Sequence, residues 1–129
     1  MHILFIVGRL LFGGYFIASA FNHFMNLEMM AGYSASKKVP FPKLAVIGTG
    51  LLLLSGGLGI LLGTCIHWAI AALVLFLVPV TYMMHNFWTT NDPLLKMREQ
   101  VNFMKNVGLL GACLMFLAIP TPWIYSVHW

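Results

Sequence analysis

Charge is what this sequence has least of. Only 8% of its 129 residues are charged, and the acids number three: Glu28, Asp92 and Glu99. A soluble domain carries about 25% charged side chains. Here there are too few to coat a water-exposed surface. No paired intramembrane carboxylate of the kind on which proton-driven pumps rely is present, and no acid is expected to be buried, which argues against a cation-coupled transporter acting alone. Cysteine is sparse too. Cys65 and Cys113 form no CxxC motif. They are expected at different depths, one at a helix boundary and one near a helix middle, so a disulfide, which needs Cα atoms within about 7 Å, is not expected. No P-loop, GxGxxG, HExxH or GxSxG occurs. The basic residues form no aromatic-basic stripe, so the net charge of +4 does not point to nucleic acid.

What the chain does have is long apolar runs, over residues 3–26, 44–65, 68–87 and 102–120. Each holds about 18 or more mostly apolar residues, enough to cross a hydrocarbon core of ~30 Å. Lipid offers the backbone no hydrogen-bond partners, so each run closes its own as a helix. The expected fold is all-α, a single integral membrane domain over residues 1–129. Its four helices lie at about 3–26, 44–65, 68–87 and 93–120. Lys37, Lys38 and Lys43 follow the first run, and Lys96 and Arg98 precede the fourth. With four crossings both basic segments share one side. The positive-inside rule makes that side cytoplasmic and places both termini on the non-cytoplasmic side. The first run has no basic lead and is long, so it reads as a retained helix rather than a cleaved signal.

Within the runs, polar residues have a pattern. At 100° per residue, Tyr15, Ser19, Asn22 and Asn26 share one stripe of the first helix, with His23 at its edge. Such a face should turn toward protein. The segment after the first helix reads as a loop ending in Pro40-Phe41-Pro42, which blocks helix continuation and sets the entry to the second helix. Ser55, Gly59 and Gly63 recur every four residues, with Gly56 and Gly57 beside them. This small-residue face allows two helix backbones to approach closely, preferably within the same bundle. Pro79 lies inside the third helix and is expected to bend it. Asp92-Pro93 reads as a helix cap and first helical position. An amphipathic start over Leu94, Leu95, Met97 and Val101 then leads into the fourth crossing. Trp123, Tyr125 and Trp129 are expected to anchor the final segment in outer headgroups.

The candidate ligand site follows from depth. His23, His85, Lys105 and Asn106 come from three helices and are expected near the cytoplasmic boundary, where Asn22, Tyr82 and Asn86 can join them. Imidazoles, amides and a cation beside lipid suit a quinone head group, whose oxygens need donors and whose tail needs acyl surroundings. The competing interpretation is a set of polar residues that only bridge helices. Met25, Met29, Met30, Met83, Met84, Met97 and Met104 gather on the same side and are a ligand type for copper(I), yet no short Met-x-x-Met or His-x-x-His cluster supports a metal. Haem held by His23 and His85 lacks an attachment motif as well. Arg9 has no carboxylate nearby in the sequence. It is expected to snorkel, to bind backbone carbonyls or Tyr15, to meet another subunit, or to hold an anion.

The stretch Arg9-Leu10-Leu11-Phe12-Gly13-Gly14-Tyr15-Phe16, the end Phe21-Asn22-His23-Phe24 and the glycine-rich second helix resemble the DoxX family. So do His85-Asn86-Phe87-Trp88, Asp92-Pro93 and the run from Phe103 through Lys105-Asn106 to Gly111. The resemblance implies a four-helix bundle in the bacterial cytoplasmic (inner) membrane. Some relatives are similar to small subunits of thiosulfate:quinone oxidoreductases. The family pattern draws attention to Arg9, His85, Lys105 and Asn106, whereas Asn22-His23 stands where relatives often carry a lysine. The expected role is an auxiliary or structural subunit of a membrane respiratory or oxidoreductase complex, contacting quinone. It would associate with lipid and with other membrane subunits or copies of itself. The alternatives are a quinone-linked oxidoreductase small subunit and a small-molecule or copper-handling membrane protein.

Overall fold

The computed structural model describes residues 1–128, and Trp129, the expected third anchor of the last segment, lies outside them. Five α-helices run in the order α1 (His2–Met25), α2 (Leu27–Ser36), α3 (Pro42–Leu62), α4 (Ile66–Met84) and α5 (Pro93–Phe116), with a 3-10 turn over Phe87–Thr89. Among the described residues 79% are helical and none is in a strand. Three helices are long and apolar enough to cross a membrane: α1, α3, and α4 with the turn that follows it. α5 as a whole is not, because its first half carries Lys96, Arg98 and Glu99 and its middle carries Lys105.

The expected boundaries shift for local reasons. α3 begins at Pro42, whose fixed φ suits the first helical position. It ends where Gly63 turns left-handed at φ 71°, a conformation that costs glycine nothing. α5 opens as the sequence implies, with Asp92 Oδ1 accepting the Leu94 N–H at 3.2 Å. It stops at Phe116, short of the expected residue 120. Ahead of Pro120, the amides of Leu117, Ala118 and Ile119 reach back three residues instead of four, which tightens and closes the helix. α4 continues through Pro79.

The segment after α1 was expected as a loop and is instead α2. Its buried Ala31 and Ser34 lie one turn apart and face α3. α3 is the central element, packed against α1, α2 and α4, and α4 in turn packs against α5. The core joins Phe16 and Ala20 of α1, Leu53 and Ile60 of α3, Ile70, Leu73 and Leu77 of α4, and Cys113 of α5. Trp123 belongs to this core and not to the headgroup layer. It is 3% exposed, with Phe5 and Phe116 set edge-on to its ring. A large apolar side chain folded back by the turn after Pro120 gains more by filling the gap at the bundle end than by lying outside it. Tyr125 is exposed as expected. Both cysteines are free, Cys65 exposed and Cys113 buried.

The close helix approach is internal. A Cβ on Gly57 would lie 2.9 Å from the Gly13 carbonyl oxygen of α1, and one on Gly59 would lie 2.5 Å from the Ala69 Cβ of α4. Gly56 likewise meets Leu73 of α4. Ser55, expected in the same packing face, points outward and bonds to its own Leu52 carbonyl. Gly63 serves the chain reversal rather than a helix crossing.

Candidate functional site

The polar stripe of α1 does not turn fully inward: Tyr15 and Asn22 are exposed, and Ser19 and Asn26 are half-buried. The helix's own carbonyls then fix the orientation of its side chains. Ser19 donates its hydroxyl to the Tyr15 carbonyl at 2.9 Å. His23 Nδ1 lies 2.8 Å from the Ser19 carbonyl. A carbonyl can only accept, so Nδ1 carries the proton and Nε2 is left uncommitted. The ring sits edge-on to Phe76 of α4, 5.9 Å between centroids.

His85 caps α4 and is held in a similar way by an acid. Its Nδ1 is 2.7 Å from Glu99 Oε2, while the Tyr33 hydroxyl donates to Glu99 Oε1 at 2.9 Å. Glu99 is 3% exposed. Burial opposes its ionisation, but the hydrogen bonds from His85 and Tyr33 and the nearby Lys37 charge prevail and hold the carboxyl below its ordinary range. Burial, the hydrogen bond to Glu99 and the negative charge of Glu99 together push the Tyr33 hydroxyl up to about 12. Three helices, α2, α4 and α5, therefore converge on one carboxylate.

His23, His85, Asn22, Lys105 and Asn106 all line one cavity of about 510 Å3. Its deeper walls are apolar, formed by Leu53, Phe76, Leu77, Val80 and Leu109 among others. Asn106 is 6% exposed, and its carboxamide has no hydrogen bond to the chain among the described residues. Lys105 stands over the Tyr15 ring at 5.9 Å. α1 and α5 meet here mainly through side chains, with Phe12 against Phe116 further along. Of the exposed lining residues, Tyr15, Asn22 and Lys105 open the cavity along this α1–α5 seam, while Tyr33 on α2 and Pro79 on α4 are exposed elsewhere.

Other expected site residues lie elsewhere. Tyr82 is 69% exposed and rests on Trp88, outside the cavity. Asn86 accepts from Lys37 Nζ at 2.7 Å and so latches the end of α2 to the end of α4. Arg9 is at the opposite end of the bundle. It donates to the carbonyls of Ile60 (3.2 Å), Leu61 (2.8 Å) and Ile124 (2.6 Å), with its guanidinium 6.0 Å from the rings of Phe5 and Trp123. Its donors are spent on the fold, tying α1 to α3 and to the segment after α5. No group of three or more His, Cys, Asp or Glu side chains is placed to hold a metal ion among the described residues.

Glu99 and Tyr33 were missed, and the expectation that the chain buries no acid is corrected by Glu99. One signal was available: Leu95, Glu99, Asn102, Asn106 and Cys113 recur at helical spacing, and an acid on that stripe faces inward with it.

The sequence model of the DoxX family matches residues 4–86, well over half of the chain. The protein belongs to the DoxX family. No curated protein and no solved structure matches it. The DoxX match spans α1 to the end of α4, and so includes both histidines of the cavity. α5, which supplies Glu99, Lys105 and Asn106, lies beyond it. Family membership together with the three apolar helices makes the chain a multi-pass membrane protein.

Proposed function

We propose that this DoxX protein is an accessory subunit of a respiratory or oxidoreductase complex in the bacterial inner membrane, and that its cavity holds a quinone-type head group. The second half of α5 completes a fourth crossing. The basic segments face the cytoplasm, and both ends of the chain lie on the other side. The observation that carries this reading is the cavity itself. Its volume falls in the range of small-molecule sites, most of its lining is apolar, and a few polar groups, Asn106, Lys105 and the Nε2 side of His23 among them, converge on it. A mouth on the α1–α5 seam suits a ligand whose tail stays among acyl chains. The cytoplasmic depth suits a ring that exchanges protons with water.

The test uses the full chain purified in mild detergent with a photoreactive short-tailed benzoquinone. Labelling should concentrate on α1 and α5 residues lining the seam, be displaced by excess unlabelled quinone, and fall several-fold in Asn106→Leu. Labelling spread evenly over outward-facing residues, unchanged by competitor or by Asn106→Leu, would remove the quinone site from this reading.

A further inference from the structure

The hydrogen-bond directions around the cavity specify more than an aromatic head group. On the α1 and α3 walls Ser19, His23 and Thr49 have already spent their protons. Ser19 gives its hydroxyl proton to the Tyr15 carbonyl and His23 gives its Nδ1 proton to the Ser19 carbonyl. Thr49 gives its proton to the Ala45 carbonyl at 2.7 Å, shared with Val46 at 3.1 Å. These groups can therefore offer a ligand only lone pairs. In the neutral ring, whose Nδ1 proton goes to the Ser19 carbonyl, Nε2 is an acceptor. Donors lie on α5, as the carboxamide of Asn106, and at the exposed mouth, as the ammonium of Lys105, the Tyr15 hydroxyl and the Asn22 amide.

A quinone carbonyl only accepts. Against His23, Ser19 and Thr49 it would set lone pair against lone pair and leave the His23 nitrogen desolvated without a partner, which is costly in an apolar cavity. A phenolic hydroxyl both donates and accepts. It can donate to His23 Nε2 on one wall while a second ring oxygen accepts from Asn106 on the other. Resting on the quinone-site reading above, we propose that the cavity selects the reduced, hydroxyl-bearing form of the aromatic head group, with an O–H donated to His23 Nε2.

Binding of three rings to the full detergent-purified chain tests this by equilibrium titration without oxygen: a methyl-substituted hydroquinone, the matching quinone, and the bis-methyl ether of the hydroquinone. The hydroquinone should bind most tightly. His23→Leu should weaken it by up to about tenfold, the size of one neutral hydrogen bond, and change quinone affinity by less than twofold. His23→Gln, which keeps an acceptor, should recover most of the loss. Quinone binding as tightly as hydroquinone, or the ether matching it, overturns the selection and leaves the quinone site standing. If none of the three rings binds, the quinone site fails and the selection fails with it. The Asn106→Leu variant should weaken both oxidation states alike, because its amide serves either. A loss confined to the hydroquinone in Asn106→Leu would assign the donor-accepting role to Asn106 and overturn the role of His23.

Discussion

At Glu99 one side chain satisfies two others. Its carboxylate takes the Tyr33 hydroxyl and the His85 N–H while almost wholly buried. Removing it in Glu99→Leu leaves both donors without a partner, and a loss of about 3 kcal/mol is expected from broken buried pairs of this kind. The pH dependence has a definite sign. Because the folded value lies below the ordinary 4.5, the Glu99 contribution is complete above that pH and fades as pH falls through the folded value. Tyr33 is raised, so its contribution is complete below its ordinary 10.0 and fades as pH climbs toward about 12. Thermal unfolding in detergent should show a plateau falling away on both sides, and Glu99→Gln should lose most of the acid limb. Some of this site was legible in the sequence. His23, Lys105 and Asn106 could be placed because helical period and alternating direction fix depth and face. Tyr82 could not, since Thr81 is the buried neighbour and one residue of helix turns a side chain by about 100°. Asn86 lies past the end of α4, where that period no longer governs direction. Tyr33 was hidden by distance: its partner is 66 residues away, and the contact exists only because α2 forms.

At the scale of elements, α3 is the helix on which the others depend. Its glycines serve two partners, Gly57 toward α1 and Gly56 and Gly59 toward α4. Gly57→Ala sets a methyl against the Gly13 carbonyl, an atom of backbone that cannot rotate away. A loss of about 1–3 kcal/mol is expected from such overpacking. Gly48→Ala, in the same helix with nothing within 4 Å of the added carbon, should be neutral or gain up to about 1 kcal/mol from helix propensity. Melting both variants beside the parent separates packing from propensity, and equal behaviour would refute the close crossing. The four-residue spacing from Ser55 revealed that α3 has a small-residue face. It did not reveal that the helix is central, because a single stripe implies a single partner. With neighbours on several sides, the useful glycines are Gly59 of the stripe and Gly56 and Gly57 beside it, and Ser55 falls on the outside. α5 was legible at its start, where cap and proline are both local. It was less so at its end, where the last turn tightens before Pro120.

For the whole molecule, alternating helix direction puts the basic segments at one end and Arg9 at the other. With Cys113 replaced by Ala, Cys65 should react with a membrane-impermeant thiol reagent only from the non-cytoplasmic side of sealed vesicles. Ser36→Cys in a background lacking both native cysteines should react only from the other side. Labelling of both from one side would refute the four-crossing topology. The apolar runs of the sequence imply four crossings; three helices are long and apolar enough to span, and α5 as a whole is not, because it is polar in its first half and apolar in its second. The seam between α1 and α5 has a consequence for any occupant. A guest entering there moves sideways from the acyl phase and need never dissolve in water. Its occupancy then follows its mole fraction among the lipids, so diluting the membrane with more phospholipid should empty the protein even when the total amount of guest is unchanged.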